Sequence, residues 1–139
     1  MSDDNGFKAS DARRLWLKRQ LTAVSLALLI YVINRFFLKH LDIPYIGYIL
    51  RCHLNDFIGG FVFPAYVNTL LIVSKRKPIT KLGMLLLFML GVALLWEYVF
   101  PLFLSYSTSD FWDVIAYLSG AYLYYLVMKK NNNMIAEEG

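Results

Sequence analysis

Four long apolar runs separated by short polar stretches constrain the fold of this chain more than any other feature. They lie at about residues 21–38, 54–73, 82–100 and 111–128. A helix needs about 20 predominantly apolar residues to cross the hydrocarbon core of a membrane, and these runs have about that length. The hydrophobic content of 58% exceeds the usual apolar share of a soluble protein. The sequence therefore predicts an all-α polytopic membrane protein, a bundle of four transmembrane helices.

The stretches between and around the runs are too short to fold by themselves, so we expect residues 1–139 to form a single membrane domain. Residues 1–20 are polar and basic around Trp16, which we interpret as an interfacial aromatic anchor. Residues 41–50 are apolar but too short to span, and Pro44 and Gly47 weaken a continuous helix there. This segment is predicted to be interfacial or re-entrant. Residues 129–139 form a polar tail.

The distribution of basic residues predicts the orientation of the bundle. Of 14 Lys and Arg, eleven lie in the N-terminal segment, the loop around residues 74–81 and the C-terminal end, and three lie on the other side. The positive-inside bias then places both termini in the cytoplasm and the first and third loops outside the cell membrane. The basic residues flank apolar runs and do not form one water-exposed patch, which argues against nucleic-acid binding. The single cysteine, Cys52, excludes an intrachain disulfide.

Polar residues from three spans are predicted to meet at the outer face. All five acidic residues outside the two termini fall on this side, and intramembrane charge is costly unless it faces protein or water. On the fourth span the spacing of polar, hydroxyl-bearing and small residues follows one helix face. The candidate catalytic residues are His53, Asp56, Glu97 and Asp113. The candidate ligand-binding residues are Arg51, Asn55, Asp110 and Tyr117.

Three kinds of chemistry fit this set of residues. Asp56, Glu97 and Asp113 are the main candidate metal ligands, with Asp110 and His53 as further candidates, because carboxylate oxygens bind hard divalent cations and a histidine favours manganese or zinc. Crowded carboxylates beside His53 would also suit general acid/base work. Alternatively, the same residues pair with one another to tie helix ends together, with Asp110 as a helix N-cap. The sequence leaves these alternatives open, and with them the enzymatic status of the chain.

From residue 97 to residue 120 the chain resembles the VanZ-like family of small multi-pass bacterial membrane proteins. Thr108, Asp110, Asp113 and Gly120 fit the family pattern of a Thr, two Asp three residues apart and a later Gly. Ser107 stands where the family often has Arg, and Tyr117 where it often has Asn. The resemblance implies a compact helical membrane protein with an outward-facing polar site, which acts on cell-envelope lipids or influences susceptibility to glycopeptides.

The leading hypothesis for function is an outward-facing acidic pocket that binds or modifies the headgroup of an envelope lipid. In this hypothesis Arg51 and Lys39 contact an anionic group of the lipid, and the carboxylates bind a divalent cation or exchange protons. The alternative is a non-enzymatic accessory or structural membrane subunit whose polar cluster bridges helices. Membrane lipids are the expected partners, with a protein partner or a homo-oligomer as further options.

Overall fold

All regular structure in the described part of the chain is helical, which confirms the predicted all-α fold. The computed structural model describes residues 3–40, 43–104 and 110–137. Its α-helices are α1 (Asp3–Phe36), α2 (Ile46–Cys52), α3 (Leu54–Val73), α4 (Leu82–Leu94) and α5 (Phe111–Glu137). Shorter helical turns lie at Leu38–His40, Leu95–Val99 and Phe100–Leu102.

Four helical stretches are long and apolar enough to cross a membrane, as the sequence predicts. They are Ser10–Phe36, Leu54–Val73, Leu82–Leu102 and Phe111–Lys130. The second has the predicted bounds. The first begins well before residue 21, because α1 continues back to Asp3. Residues 9–20 are rich in Ala, Leu, Lys and Arg, which favour a helix, so this basic segment extends the span instead of standing apart from it.

Trp16, predicted as an anchor at the membrane surface, lies in the protein core. Its side chain is fully buried and belongs to a packed apolar cluster that includes Ile72, Leu85 and Met128. Helix α1 packs along α3, and this packing covers the face of α1 that carries Trp16. The prediction of an interfacial anchor is therefore wrong at this residue, because the sequence around Trp16 does not show which helix face is covered.

Two glycines bring α3 and α5 into backbone contact. A Cβ atom on Gly60 would overlap the carbonyl oxygen of Tyr117, and a Cβ atom on Gly120 would overlap the carbonyl oxygen of Phe57. The contact is therefore reciprocal, with one glycine on each helix. Membrane helices associate through such close packing because lipid tails provide no hydrophobic drive between them. Gly60 and Gly120 thus let the two helices approach each other closely.

Helix α5 is the central element of the bundle. It packs against both α3 and α4, and α1 packs mainly on α3 and to a lesser extent on α5. Helices α3 and α4 both contact α5 but touch each other little. An apolar cleft therefore lies between α3 and α4.

A buried polar network holds the half of the bundle next to the loop at residues 74–81. The hydroxyl of Tyr124 donates to Oε1 of Gln20 at 2.9 Å and accepts from Nδ2 of Asn68 at 3.0 Å. Asn68 also bonds both backbone groups of Ile79, accepting from its N–H at 2.7 Å and donating to its carbonyl at 3.1 Å. Gln20 donates to the carbonyl of Ala65 at 2.5 Å. These bonds connect α1, α3, α5 and the loop.

The segment predicted to be interfacial or re-entrant contains a turn followed by most of α2. Within it the structure describes residues 43–50, and residues 41–42 lie outside the described part. Tyr45 adopts a φ of 64° immediately before α2 begins. Ile46, Tyr48 and Ile49 are exposed apolar side chains on a helix of seven residues. A helix of this length is too short to span, and its exposed apolar side chains suit an interfacial location.

Candidate functional site

Three spans place their polar residues at the same end of the bundle. His53 and Asp56 lie at the start of α3, Asp110 immediately precedes α5, and Asp113 lies in its first turn. Glu97 lies in the helical turn that follows α4, which runs antiparallel to its neighbours. We call these residues, together with Tyr117 of α5, the polar cluster. The predicted meeting of the three spans is observed.

His53 and Asp113 form the best-defined contact of the polar cluster. Nδ1 of His53 lies 2.8 Å from Oδ1 of Asp113, and each side chain is 19% exposed. The Nδ1–H group donates to the carboxylate, which leaves Nε2 of His53 to interact with a ligand. The edge of the Tyr48 ring packs against the imidazole, with ring centroids 5.9 Å apart. A carboxylate and an aromatic ring therefore both orient His53.

Asp56 connects this pair to Tyr117. Its carboxyl group interacts with the hydroxyl of Tyr117 and with the side chain of Asp113. Two neighbouring carboxylates repel each other when both are charged, and a proton or a cation held between them removes the repulsion. The Tyr117 ring is buried and lies against Gly59 of α3, while the backbone of Tyr117 lies against Gly60. The place where α3 and α5 approach most closely thus lies directly beneath the carboxylates.

Glu97 is the most buried carboxylate of the polar cluster, with 7% exposure. It lies in a π-helical turn, Leu95–Val99, and its Oε2 accepts a hydrogen bond of 3.4 Å from the N–H of Asp110. It shares a buried face with Ala93, which packs with Val114 and Tyr117 of α5. Glu97 therefore faces the bundle. The π turn was not predicted, and such turns occur often at functional sites.

Asp110 caps α5, as the structural alternative predicts. Its Oδ1 accepts from the N–H of Trp112 at 3.0 Å, and its carbonyl accepts from the N–H of Asp113 at 3.2 Å. A side-chain oxygen that accepts from the first turn of a helix is the usual N-cap arrangement. Capping orients the Asp110 carboxylate towards the backbone of its own helix, while its second oxygen can still bind a ligand.

The residues most closely placed for a metal ion differ from the predicted trio. Among the described His, Cys, Asp and Glu residues, ligand atoms of His53, Asp110 and Asp113 lie within 4.8 Å of one another. Of the three main predicted ligands, Asp113 belongs to this group and Asp56 and Glu97 do not, whereas the further candidates Asp110 and His53 both belong to it. One imidazole and two carboxylates suit manganese or zinc. The two other carboxylates border this group and would add negative charge around a cation.

Asn55, predicted to bind a ligand, bonds another helix. Its Oδ1 accepts a hydrogen bond of 3.1 Å from Nδ2 of Asn34, which links α3 to α1. The backbone of Arg51 belongs to α2, but its side chain and that of Lys39 lie outside the described part of the structure. Ser107 and Thr108 lie outside it as well. The predicted contacts of Arg51 and Lys39 with an anion therefore stay predictions.

An apolar cleft of about 210 Å³ adjoins the polar cluster. It is lined by Gly59 and Phe63 of α3, Met89 and Val92 of α4, Trp96 of the π turn and Tyr117 of α5. The sequence does not predict this cleft, because all its lining residues belong to apolar or aromatic stretches that predict only helix packing.

The exposed aromatic residues at this end of the bundle include Trp96, Tyr98 and Trp112, which are 53%, 46% and 64% exposed. Trp and Tyr side chains are enriched at membrane interfaces, where the ring lies in lipid and its polar group meets water. The polar cluster therefore lies beside aromatic side chains suited to headgroup depth.

Comparison with protein-family models, with curated proteins and with solved structures finds no match for this chain.

Proposed function

We propose that this chain binds the polar headgroup of a membrane lipid at the polar cluster. The observation that carries the proposal is the contact of His53 with Asp113, beside Asp56, Glu97 and Asp110 from three spans of one bundle. Ionisable side chains within membrane helices are costly and typically mark ligand or ion pathways. The exposed aromatic residues around the polar cluster support its location at the depth of the lipid headgroups.

The charges of the described residues favour a headgroup that carries a positive charge. Four carboxylates, those of Asp56, Glu97, Asp110 and Asp113, surround one imidazole. A cationic amine or a bound divalent cation would neutralise part of this charge, whereas a bare phosphate would be repelled. A headgroup with both a phosphate and an amine would place its amine among the carboxylates. Under this proposal the described carboxylates bind the positively charged part of the ligand.

The proposed location follows the charge distribution of the sequence. The positive-inside bias puts the polar cluster at the outer face of the cell membrane, so the ligand would be an envelope lipid. The resemblance to the VanZ-like family leads to the same class of ligand and to an influence on glycopeptide susceptibility.

The His53 and Asp113 pair also offers acid/base chemistry on the bound headgroup. Asp113 orients the imidazole, so Nε2 of His53 is the atom that would take a proton from the ligand. Asp56 and Glu97 would then balance the positive charge formed on the ring. Under this proposal a modifying activity uses His53 as the base, and a binding activity uses the same residues without proton transfer.

Thermal unfolding of the purified protein in detergent tests the proposal. Phosphatidylethanolamine, whose headgroup carries an amine, should raise the melting temperature more than phosphatidylglycerol, whose headgroup carries none. The Asp113→Asn variant should lose most of this gain. Asp11→Asn is the matched control, because Asp11 is exposed on α1 and should keep the gain. Equal gains in wild type and Asp113→Asn would refute the proposal.

A second candidate function, a structural or accessory membrane subunit, is favoured by the bond between Asn34 and Asn55. That bond links α1 to α3 at the same end of the bundle and involves no ligand. In this case Asp113→Asn would lower the melting temperature without changing the response to lipid, because neither protein would respond. The same thermal experiment therefore separates the two functions.

A further inference from the structure

The apolar cleft exists because α5 separates the two helices that flank it. Helices α3 and α4 both pack on α5 but touch each other little, so α5 forms the floor of the cleft. Phe63 and Trp96 line the cleft and are 40% and 53% exposed, so it opens on the outer surface of the bundle. That surface belongs to helices long and apolar enough to cross a membrane, where the surrounding medium is lipid acyl chains.

One end of the cleft lies at the polar cluster, and an aromatic contact joins α3 to α4 near the other end. The rings of Phe63 and Phe88 stack with centroids 6.0 Å apart, which bridges α3 and α4 towards the loop at residues 74–81. At the opposite end Tyr117 lines the cleft with its ring, while its hydroxyl interacts with Asp56. Trp96 lines the cleft next to Glu97 in sequence. Asp56 precedes Phe63 by seven residues, about 10 Å along a helix.

We infer that this cleft holds one acyl chain of the lipid whose headgroup binds at the polar cluster. The inference rests on the proposed function and names its ligand class as an amine-bearing lipid with at least one long chain. The size of about 210 Å³ fits part of a single chain. It lies below the usual range of about 300–1,000 Å³ for pockets that enclose whole drug-sized ligands. A chain in the cleft would hold the headgroup beside His53 and Asp113.

Photo-crosslinking of the wild-type protein gives a first test. The probe is phosphatidylethanolamine with a diazirine in the middle of one acyl chain, incorporated into phosphatidylcholine vesicles with the protein, and adducts are located by mass spectrometry. We expect adducts concentrated on Phe63, Met89 and Val92. Adducts on exposed residues of α1, such as Leu28 and Leu29, with none in the cleft would overturn the inference.

Native mass spectrometry of two matched variants gives a second test. Val92→Phe fills the cleft, whereas Leu87→Phe adds a ring on α4 where the side chain is 71% exposed. The larger side chain would occupy the space of the acyl chain, and overfilling an apolar site is unfavourable. Val92→Phe should therefore retain at least about fivefold less phosphatidylethanolamine than wild type. Leu87→Phe should retain as much as wild type. Unchanged lipid retention in Val92→Phe would overturn the inference. A wild-type protein that forms a dimer without bound lipid, together with a Val92→Phe variant that does not form this dimer, would also overturn it.

The Asp113→Asn variant distinguishes failure of this inference from failure of the proposed function. If both Val92→Phe and Asp113→Asn lower lipid retention, the acyl chain and the headgroup bind as inferred. If only Asp113→Asn lowers it, the headgroup site stands and the acyl-chain site is refuted. If only Val92→Phe lowers it, the headgroup proposal fails while the cleft still binds a chain.

Discussion

His53 lies 2.8 Å from Asp113, a residue 60 positions later in the chain. The contact joins the corner between α2 and α3 to the first turn of α5, so it fixes both the direction of the imidazole and the position of the α5 start. A hydrogen bond that involves a charged group typically contributes about 1.5–3 kcal/mol to stability.

Replacing either partner should destabilise the bundle by about 1–3 kcal/mol, because the remaining half-buried group loses its bond. His53→Gln, Asp113→Asn and the double variant form a double-mutant cycle, measured by denaturant unfolding in detergent. The double variant should be less destabilised than the sum of the single variants. Additive effects would show that the two side chains do not interact in solution.

Asp110→Asn separates metal binding from helix capping. Asn and Asp cap helices about equally well, so the variant should keep the start of α5. It should weaken binding of manganese or zinc if His53, Asp110 and Asp113 hold the cation. Thermal unfolding with each metal checks this, and the wild type should gain stability with metal concentration. Asp11→Asn serves as control, and identical metal responses in wild type and Asp110→Asn would exclude Asp110 as a ligand.

Alanine at Gly60 or Gly120 should destabilise the protein by about 2 kcal/mol or more, since the added methyl group meets backbone and no flexible side chain can move aside. Gly91→Ala is the matched control, because a Cβ atom at Gly91 meets nothing within 4 Å. It should be neutral or slightly stabilising, as alanine favours a helix by about 0.5–1 kcal/mol over glycine. Unfolding in detergent measures all three, and a neutral Gly60→Ala would contradict the backbone contact.

Tyr124→Phe should cost about 1 kcal/mol, the order of hydrogen-bond contributions within membranes. It removes the hydroxyl that connects Gln20 to Asn68 in the buried network. Tyr122→Phe is the control, because Tyr122 is 47% exposed. Equal stability of the two variants would show that the network contributes little beyond packing.

The fold and the general location of the polar cluster could be predicted from the sequence. Apolar runs of spanning length mark the helices because the membrane requires that length, and charge inside such helices marks the faces that meet. The faces of Glu97 and Asp113 and the cap at Asp110 follow from helix spacing. Each depends on information local to one helix, which a single sequence contains.

Features that depend on how helices pack could not be predicted. The bond between Asn34 and Asn55, the clamp of Asn68 on Ile79 and the burial of Trp16 each depend on which helix lies opposite. The separation of α3 from α4 by α5 creates the cleft. The apolar pattern of each span does not predict how the spans are arranged around one another. The trio His53, Asp110 and Asp113 likewise depends on the depth at which α3 and α5 begin.

The π turn at Leu95–Val99 makes the direction of Glu97 depend on the number of residues that precede it. A π turn has i→i+5 hydrogen bonds in place of i→i+4, so it accommodates one residue more than an α-helical turn. Deleting Leu95 would remove that extra residue, so an α-helical turn could replace the π turn and the direction of Glu97 relative to Ala93 would change. The direction of the Glu97 carboxylate therefore depends on the number of residues between Leu94 and Pro101 as well as on the presence of an acidic residue.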